Sequence, residues 1–286
     1  GPARRGRRDR CGVVTTASDH PIAGQTAIVT GAAAGIGAGC ALALAHAGAN
    51  IAMCDLQPKG RAVADDIVAT TGREVTFAEV DVRDATAVKH FVDEAAATFG
   101  GIDIVVANAG IWRATDPVSD DWDTTVELFD LLVDTNLRGV YLTGRAAIPH
   151  LVQRGGGHIV NIATDHVCPP PGWALGGGTR MDAYDASKFG INGLTQSWSK
   201  RLASHAIRVN ALCMDATDSE MTRYATGKRL TDEVIASWMT PADIAGVLLE
   251  LILEGPDGRS GENIGIWLHH PIVLPPRREQ LPSRHR

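Results

Sequence analysis

The sequence predicts a single doubly wound parallel α/β sheet with helices on both faces, and three observations predict it. Short apolar runs alternate with longer amphipathic stretches along most of the chain. The short runs show no polar alternation, so both faces of each strand are expected to be covered. The first run passes through Thr30-Gly31-Ala32-Ala33-Ala34-Gly35-Ile36-Gly37, a glycine-rich turn, into a stretch of small residues with helical character.

The β-branched run 26–30 is read as the first strand and 35–47 as the first helix. Strand 50–54 and helix 61–70 follow, then strand 74–80, helix 84–99 and strand 104–107. A long helix is expected over 122–150, broken near its start, ahead of strand 158–162. Helix 182–204 leads into strand 208–213, and 241–253 is helical before a last strand at 263–267. Two segments interrupt this rhythm. Residues 169–178 are Pro/Gly-rich, stiffened by Pro169, Pro170 and Pro171 and loosened by Gly176, Gly177 and Gly178. Residues 216–231 follow the C-terminal end of a strand, where doubly wound sheets bind ligands. No repeat or interdomain linker interrupts the chain, so one domain over 21–270 is expected, with a leader over 1–20 and a tail over 271–286.

At 286 residues the chain has length enough for one large domain, and 44% apolar content is ordinary for a soluble globular protein. The tails are basic, with five arginines against two aspartates in 1–20 and four arginines against one glutamate in 275–286. Taking these from the 27 basic and 33 acidic residues leaves 18 against 30, a body near −12 that argues against nucleic acid as a partner. The leader reads as a disordered segment, with a transit peptide or nucleic-acid arm as alternatives, and Gly1-Pro2 resembles a protease-cleavage scar. No apolar run is long enough to span a membrane. Cys11, Cys40, Cys54, Cys168 and Cys213 are odd in number without close-spaced pairs, and so read as free thiols of a cytoplasmic protein. His269-His270 has no carboxylate or thiol partner at ligand spacing, so no metal is expected.

The candidate functional residues follow from two strings. Gly31, Gly35 and Gly37 lie between a strand and a helix, where glycine lets the backbone approach a pyrophosphate at the helix N-terminus. Asp55 ends the second strand 18 residues after Gly37, the position from which a carboxylate takes ribose hydroxyls and repels an extra 2′-phosphate. No Arg or Lys within the glycine turn is available for that phosphate, so NAD is expected over NADP. Far along the chain, Tyr184 and Lys188 stand four residues apart on one helix face. A phenol beside an ammonium is an acid/base pair, because the Lys188 ammonium and the nicotinamide's positive charge stabilise phenolate and move it from a pKa near 10 toward working range. Cofactor grip and proton handling together suggest hydride transfer.

With these residues in hand, the chain resembles the short-chain dehydrogenase/reductase family over roughly 22–268. The glycine string has that family's Thr-Gly-x-x-x-Gly-x-Gly form, with Ile36 inside it. Asp81-Val82, Asn108-Ala109-Gly110, Asn136 within Thr135-Asn136-Leu137-Arg138-Gly139-Val140, Tyr184-x-x-x-Lys188 and Arg208-Val209-Asn210 match its further motifs in order. The resemblance implies a Rossmann fold and an NAD-dependent conversion of a secondary alcohol and its ketone. It implies contacts to adenine from Asp81 and Val82, a relay water held near Asn136, and nicotinamide ribose held by Lys188. The family's serine after the fifth strand aligns with Thr164, which offers the same hydroxyl with a stiffer χ1. It also implies a homodimer or homotetramer through the helices over 122–150 and 182–204, where Gly190, Gly193 and Ala203 would allow close approach.

The sequence departs from the family in places. The 20-residue step from Thr164 to Tyr184 makes 169–178 an insertion, expected to wall or cover the substrate pocket. Met214-Asp215 replaces the family's Pro-Gly, Ser219 stands for its carboxamide-binding threonine, and Trp267-Leu268-His269 replaces its Asp-Gly-Gly ending. Trp112, His166, Trp173, Met221 and Trp238 are the candidate pocket residues, suggesting an apolar, cyclic or aromatic small-molecule alcohol. Two other readings stay open: an enzyme whose tightly held NAD is recycled by an external redox partner, and a non-catalytic dinucleotide sensor.

Overall fold

The computed structural model describes residues 20–178 and 180–277. Most of the leader read over 1–20, Cys11 with it, and the end of the tail read over 271–286 lie outside the described residues. Seven strands form one sheet: β1 (Thr26–Thr30), β2 (Asn50–Asp55), β3 (Val75–Glu79), β4 (Ile104–Ala107), β5 (Gly157–Ile162), β6 (Ile207–Met214) and β7 (Asn263–Ile266). Their order is β3-β2-β1-β4-β5-β6-β7, and every neighbouring pair is parallel. The order reverses between β1 and β4, and a switch point of this kind opens a crevice beyond the strands' C-terminal ends.

The helices are α1 (Gly35–His46), α2 (Gly60–Thr71), α3 (Ala85–Phe99), α4 (Trp122–Val133), α5 (Gly139–Arg154), α6 (Asp182–Leu202), α7 (Glu220–Thr226), α8 (Asp232–Ser237) and α9 (Pro241–Leu253). Because side chains alternate across a strand, β1 sends Ala27 and Val29 to one face and Ile28 to the other. The first face packs on Leu44 of α1 and on Leu248 and Leu251 of α9. The second packs on Phe91 and Val92 of α3, Leu151 of α5 and Trp198 of α6. Each aliphatic side chain buried this way contributes about 1.5–3 kcal/mol, and this drives the sheet to be covered on both sides. The unbroken apolar runs of the sequence are the signature of that arrangement.

Strand and helix limits agree with expectation to within two residues, with two exceptions. The helix read over 122–150 runs four residues further, to Arg154, and is not broken near its start. Its interruption is a single π turn in the middle, Asp134–Arg138, and helix continues on both sides. Turns of this width concentrate at functional segments, and this one carries Asn136. The segment 216–231, for which the sequence predicts no helix, is partly helical. It contains α7, capped by Ser219, and leads into α8, capped by Thr231, each hydroxyl accepting a backbone N–H. Gly190 also has a packing role within the chain, since a Cβ there would lie 2.6 Å from Leu137 Cδ2.

Candidate active site

A cleft of about 850 Å³ lies over the switch point, lined by the ends of β1, β2, β4, β5 and β6. At one end is the glycine turn. Gly31 adopts φ +65, and a Cβ there would lie 2.7 Å from Ala109 Cα. The Asn108 side chain fastens the turn by donating to the Thr30 and Gly31 carbonyls at 2.9 and 3.0 Å. Helix α1 then begins with no side-chain cap and no acidic residue in its first turn, so its leading N–H groups and positive dipole end stay available to an anion. Asp55 is held at the end of β2 by backbone donors, Ala33 N–H to Oδ2 and Gln57 N–H to Oδ1, both at 2.9 Å. Each oxygen retains a lone pair for a ribose hydroxyl. Asp81, Val82 and Gly110 line the same cleft. An uncapped helix start, a carboxylate beyond it and a crevice between them fit a dinucleotide.

Gly37 is the least replaceable glycine of the turn, because a Cβ there would lie 2.2 Å from Gly31 O and 2.6 Å from Asn108 Nδ2. Neither neighbour can retreat without breaking the turn's hydrogen bonds. Gly37→Ala is expected to cost about 1–3 kcal/mol. Thermal unfolding should show a lowered midpoint, and added NAD should raise it less than in the unmutated protein.

Thr164, Tyr184 and Lys188 meet at the other end of the cleft. Lys188 is buried and donates from Nζ to the Ile162 carbonyl at 2.9 Å, with Nζ 5.9 Å from the Tyr184 ring centroid. Burial pushes its pKa down to about 8. The expected lowering of Tyr184 counts the nicotinamide's positive charge together with that of Lys188, and in the chain alone the balance runs the other way. Burial dominates and pushes the phenol up, hydrogen bonding with Thr164 pulls it down, and Asp165 and Asp185 push it up again. The protein alone therefore holds Tyr184 as a neutral phenol. Thr164 donates to Asp165 Oδ1 at 3.0 Å. Asn136 is buried and engages Ile111 twice, accepting its N–H at 2.7 Å and donating to its carbonyl at 2.9 Å. That clamp sets the strand-to-helix loop and brings Gly110 beside Asn136 and Lys188.

The substrate end holds several residues that the motifs do not reveal. Trp112, His166 and Met221 line the cleft, joined by Arg113, Asp165, Met181 and Tyr224. The Trp112 and Tyr224 rings meet edge-on at 6.2 Å between centroids. Trp173 and Trp238 are not among the lining residues, and Trp173 is 74% exposed. The reading of Trp173 as a pocket wall is thus corrected. The insertion is tied at its second half, where Gly176 N–H bonds the His166 carbonyl at 3.0 Å and Gly177 N–H bonds Asp185 Oδ2 at 2.7 Å. Its first half carries Trp173 outward. Where the family has Pro-Gly, Asp215 supports the backbone by accepting from Ala216 N–H at 2.6 Å and Leu268 N–H at 3.3 Å. Trp267 donates from Nε1 to the Cys168 carbonyl at 2.8 Å and packs edge-on against His270. Asp165 and Asp185 directly follow Thr164 and Tyr184 in sequence, and that adjacency was the one signal that could have marked them.

A doubly wound sheet with an open helix start and a tyrosine–lysine pair at its switch point defines a dinucleotide-dependent oxidoreductase. The chain belongs to the short chain dehydrogenase family, whose model matches residues 25–229. It is 32% identical over 264 residues to the 2-dehydro-3-deoxy-D-gluconate 5-dehydrogenase of Escherichia coli (strain K12), covering 88% of this chain and 98% of that one. It is 35% identical over 193 residues to the 2-dehydro-3-deoxy-L-rhamnonate dehydrogenase (NAD(+)) of Sphingomonas sp. (strain SKA58), covering 66% of this chain and 71% of that one. The crystal structure of carveol dehydrogenase from Mycobacterium avium in complex with NAD matches with a TM-score of 0.74 at 27% identity, covering 86% of this chain and 97% of that one. The resemblance drawn from the motifs and the doubly wound parallel fold are both borne out. Among the described residues, no helix is long and apolar enough to cross a membrane.

Proposed function

We propose that this protein is an NAD-dependent dehydrogenase interconverting a secondary alcohol and its ketone, with Asn136, Thr164, Tyr184 and Lys188 as its catalytic set. The observation that carries the reading is that Thr164, Tyr184 and Lys188 line the same cleft as the glycine turn and Asp55. Bound nicotinamide supplies or accepts the hydride. Thr164 turns its hydroxyl from Asp165 to the substrate oxygen and orients it. Tyr184 gives its proton to that oxygen in ketone reduction and takes the proton back in alcohol oxidation. Lys188, still largely charged at neutral pH, holds ribose hydroxyls and stabilises the phenolate formed in the reductive direction. Asn136 keeps Gly110 and the β4–α4 loop in register with Lys188. Asp55 disfavours the 2′-phosphate of NADP, and Ser219 at the start of α7 is the candidate contact to the carboxamide.

Trp112, Met181, Met221 and Tyr224 support a cyclic alcohol, and Asp165, His166 and Arg113 among them support one that carries further oxygen. The relatives named for sugar acids and the neighbour named for carveol bracket that range. NADH formation, followed at ~340 nm on mixing NAD with cyclic secondary alcohols, tests the reading directly. The reverse assay mixes NADH with ketones and 2-dehydro-3-deoxy sugar acids. Absence of turnover throughout both panels would refute it.

The same reading includes a cytoplasmic location and a homodimer or homotetramer. Cys40, Cys54 and Cys213 are buried free thiols, in keeping with a reducing compartment. On α4, Trp122, Val126 and Phe129 are exposed at helical spacing, and Trp122 is 78% exposed; Tyr141 and Val152 are exposed on α5. Apolar side chains repeated along one helical stripe support a partner-covered face. Light scattering at micromolar concentration should give a multiple of 30.2 kDa, and a species of 30.2 kDa alone would overturn the assembly.

A further inference from the structure

His166 is held more firmly than a loop histidine requires. Its Nδ1 lies 2.6 Å from Asp185 Oδ1, and its own carbonyl accepts the Gly176 N–H at 3.0 Å. Gly177 packs flush on the ring, since a Cβ there would lie 2.3 Å from His166 Cε1 and 2.6 Å from Nδ1. Asp185 is itself pinned, because its second oxygen takes the Gly177 N–H at 2.7 Å. The ring meets Tyr184 edge-on with centroids 5.9 Å apart. The insertion, whose tryptophan faces away from the cleft, therefore builds a rigid mount for an imidazole beside the reacting tyrosine.

The chemistry of the mount determines what the imidazole offers. An ionised carboxylate only accepts, so Asp185 fixes the Nδ1–H tautomer, and Nε2 of the neutral ring becomes an acceptor. Nε2 lies 4.0 Å from Asp165 Oδ1, beyond hydrogen-bond distance, and takes no hydrogen bond from any described residue. Asp165 also lines the cleft, and its Oδ1 takes the Thr164 hydroxyl at 3.0 Å. The carboxylate keeps lone pairs as a second acceptor, more of them once Thr164 turns to the substrate. Two groups with accepting lone pairs side by side favour a donor between or against them. They repel a carboxylate and leave an ether oxygen without a partner.

From this geometry we infer that His166 Nε2 and Asp165 form a hydroxyl-accepting subsite, which selects substrates carrying a hydroxyl on the carbon next to the reacting one. His166 contacts the substrate and sets specificity; Asp185 is a positioning residue acting through it. The inference rests on the dehydrogenase reading and names the substrate class as a vicinal diol in oxidation, or an α-hydroxy ketone in reduction.

The test compares three probes with NAD: cyclohexanol, trans-cyclohexane-1,2-diol and trans-2-methoxycyclohexanol, whose ether oxygen cannot donate. The diol should be favoured in kcat/KM by roughly ten- to hundredfold over both others, the range for a partly buried acceptor left unpaired. H166F should collapse the diol-to-cyclohexanol ratio by at least about tenfold, and H166Q, whose amide oxygen still accepts, should restore part of it. D185N leaves one acceptor oxygen, which the Gly177 N–H claims, and turns the amide NH2 toward Nδ1 as a donor. Nε2 can then carry the proton, and the methoxy compound should gain on the diol, a change that loosened packing alone would not produce. Turnover with equal preference for all three probes, or an unchanged ratio in both H166F and D185N, would overturn the subsite while leaving the dehydrogenase intact. Absence of NADH from every probe and from the wider alcohol panel would overturn both.

Discussion

Tyr184→Phe should abolish nearly all turnover while leaving dinucleotide binding in place. The substitution deletes one hydroxyl from a buried side chain and preserves the ring that packs against His166. Burial holds the phenol neutral, so in ketone reduction Tyr184 is a loaded proton donor beside the Thr164 hydroxyl. Removing it leaves the developing alkoxide with one hydrogen-bond donor and no proton. Loss of general acid/base catalysis of this kind lowers the rate by roughly 10²–10⁴-fold. In the oxidative direction the loss should be at least as large. The unassisted phenol is pushed up by burial, and its use as a base depends on positive charge brought near it, with Lys188 Nζ 5.9 Å from the ring centroid. Rate at saturating substrate and affinity for NAD, read by tryptophan fluorescence, separate the two effects. A phenylalanine variant with near-normal kcat would show that another group carries the proton.

Much of this site was legible because its parts depend on local sequence. A glycine turn after a β-branched strand, a carboxylate at the next strand's end, and a tyrosine and lysine one helical turn apart are short-range patterns, and each came out where it was read. Residues that depend on distant packing were not legible. The π turn around Asn136 leaves no composition signal, since Asp134–Arg138 reads as ordinary helix in sequence. Trp173 was misread for a related reason. Proline and tryptophan in an insertion suggest a wall, but the direction of the loop is set by Gly176 and Gly177 bonding to His166 and Asp185, residues on other segments. The capped helices α7 and α8 were missed because each spans two turns or fewer, too short for an apolar period to rise above the surrounding polar residues. Motifs located the chemistry, and long-range hydrogen bonds shaped the substrate's side of the cleft.

Asp55→Ala should reverse or erase a preference for NAD. The carboxylate is rigid, with both oxygens anchored by backbone N–H groups, so it cannot swing aside to admit a 2′-phosphate. Compensating cations are engaged elsewhere. Arg83, in the same cleft, grips Asp81 through Nε at 3.0 Å and Nη2 at 2.6 Å, and Lys59 pairs with Glu220 at 2.5 Å. Like charges forced together in a crevice cost several kcal/mol, so removing Asp55 should improve NADP binding by about one to two orders of magnitude. NAD should weaken by about tenfold at the same time, because its ribose hydroxyls lose a charged acceptor. Together these move the NAD-to-NADP ratio of kcat/KM by roughly 10²–10³-fold, with the dissociation constants moving in parallel. Asp55→Asn supplies the control: it removes the charge but keeps an oxygen acceptor, and should recover part of NAD affinity while still relieving the repulsion. An unmutated protein that already prefers NADP would mean that Arg83 or Lys59 leaves its partner for the phosphate, and that Asp55 serves only to hold Ala33 and Gln57 in the turn.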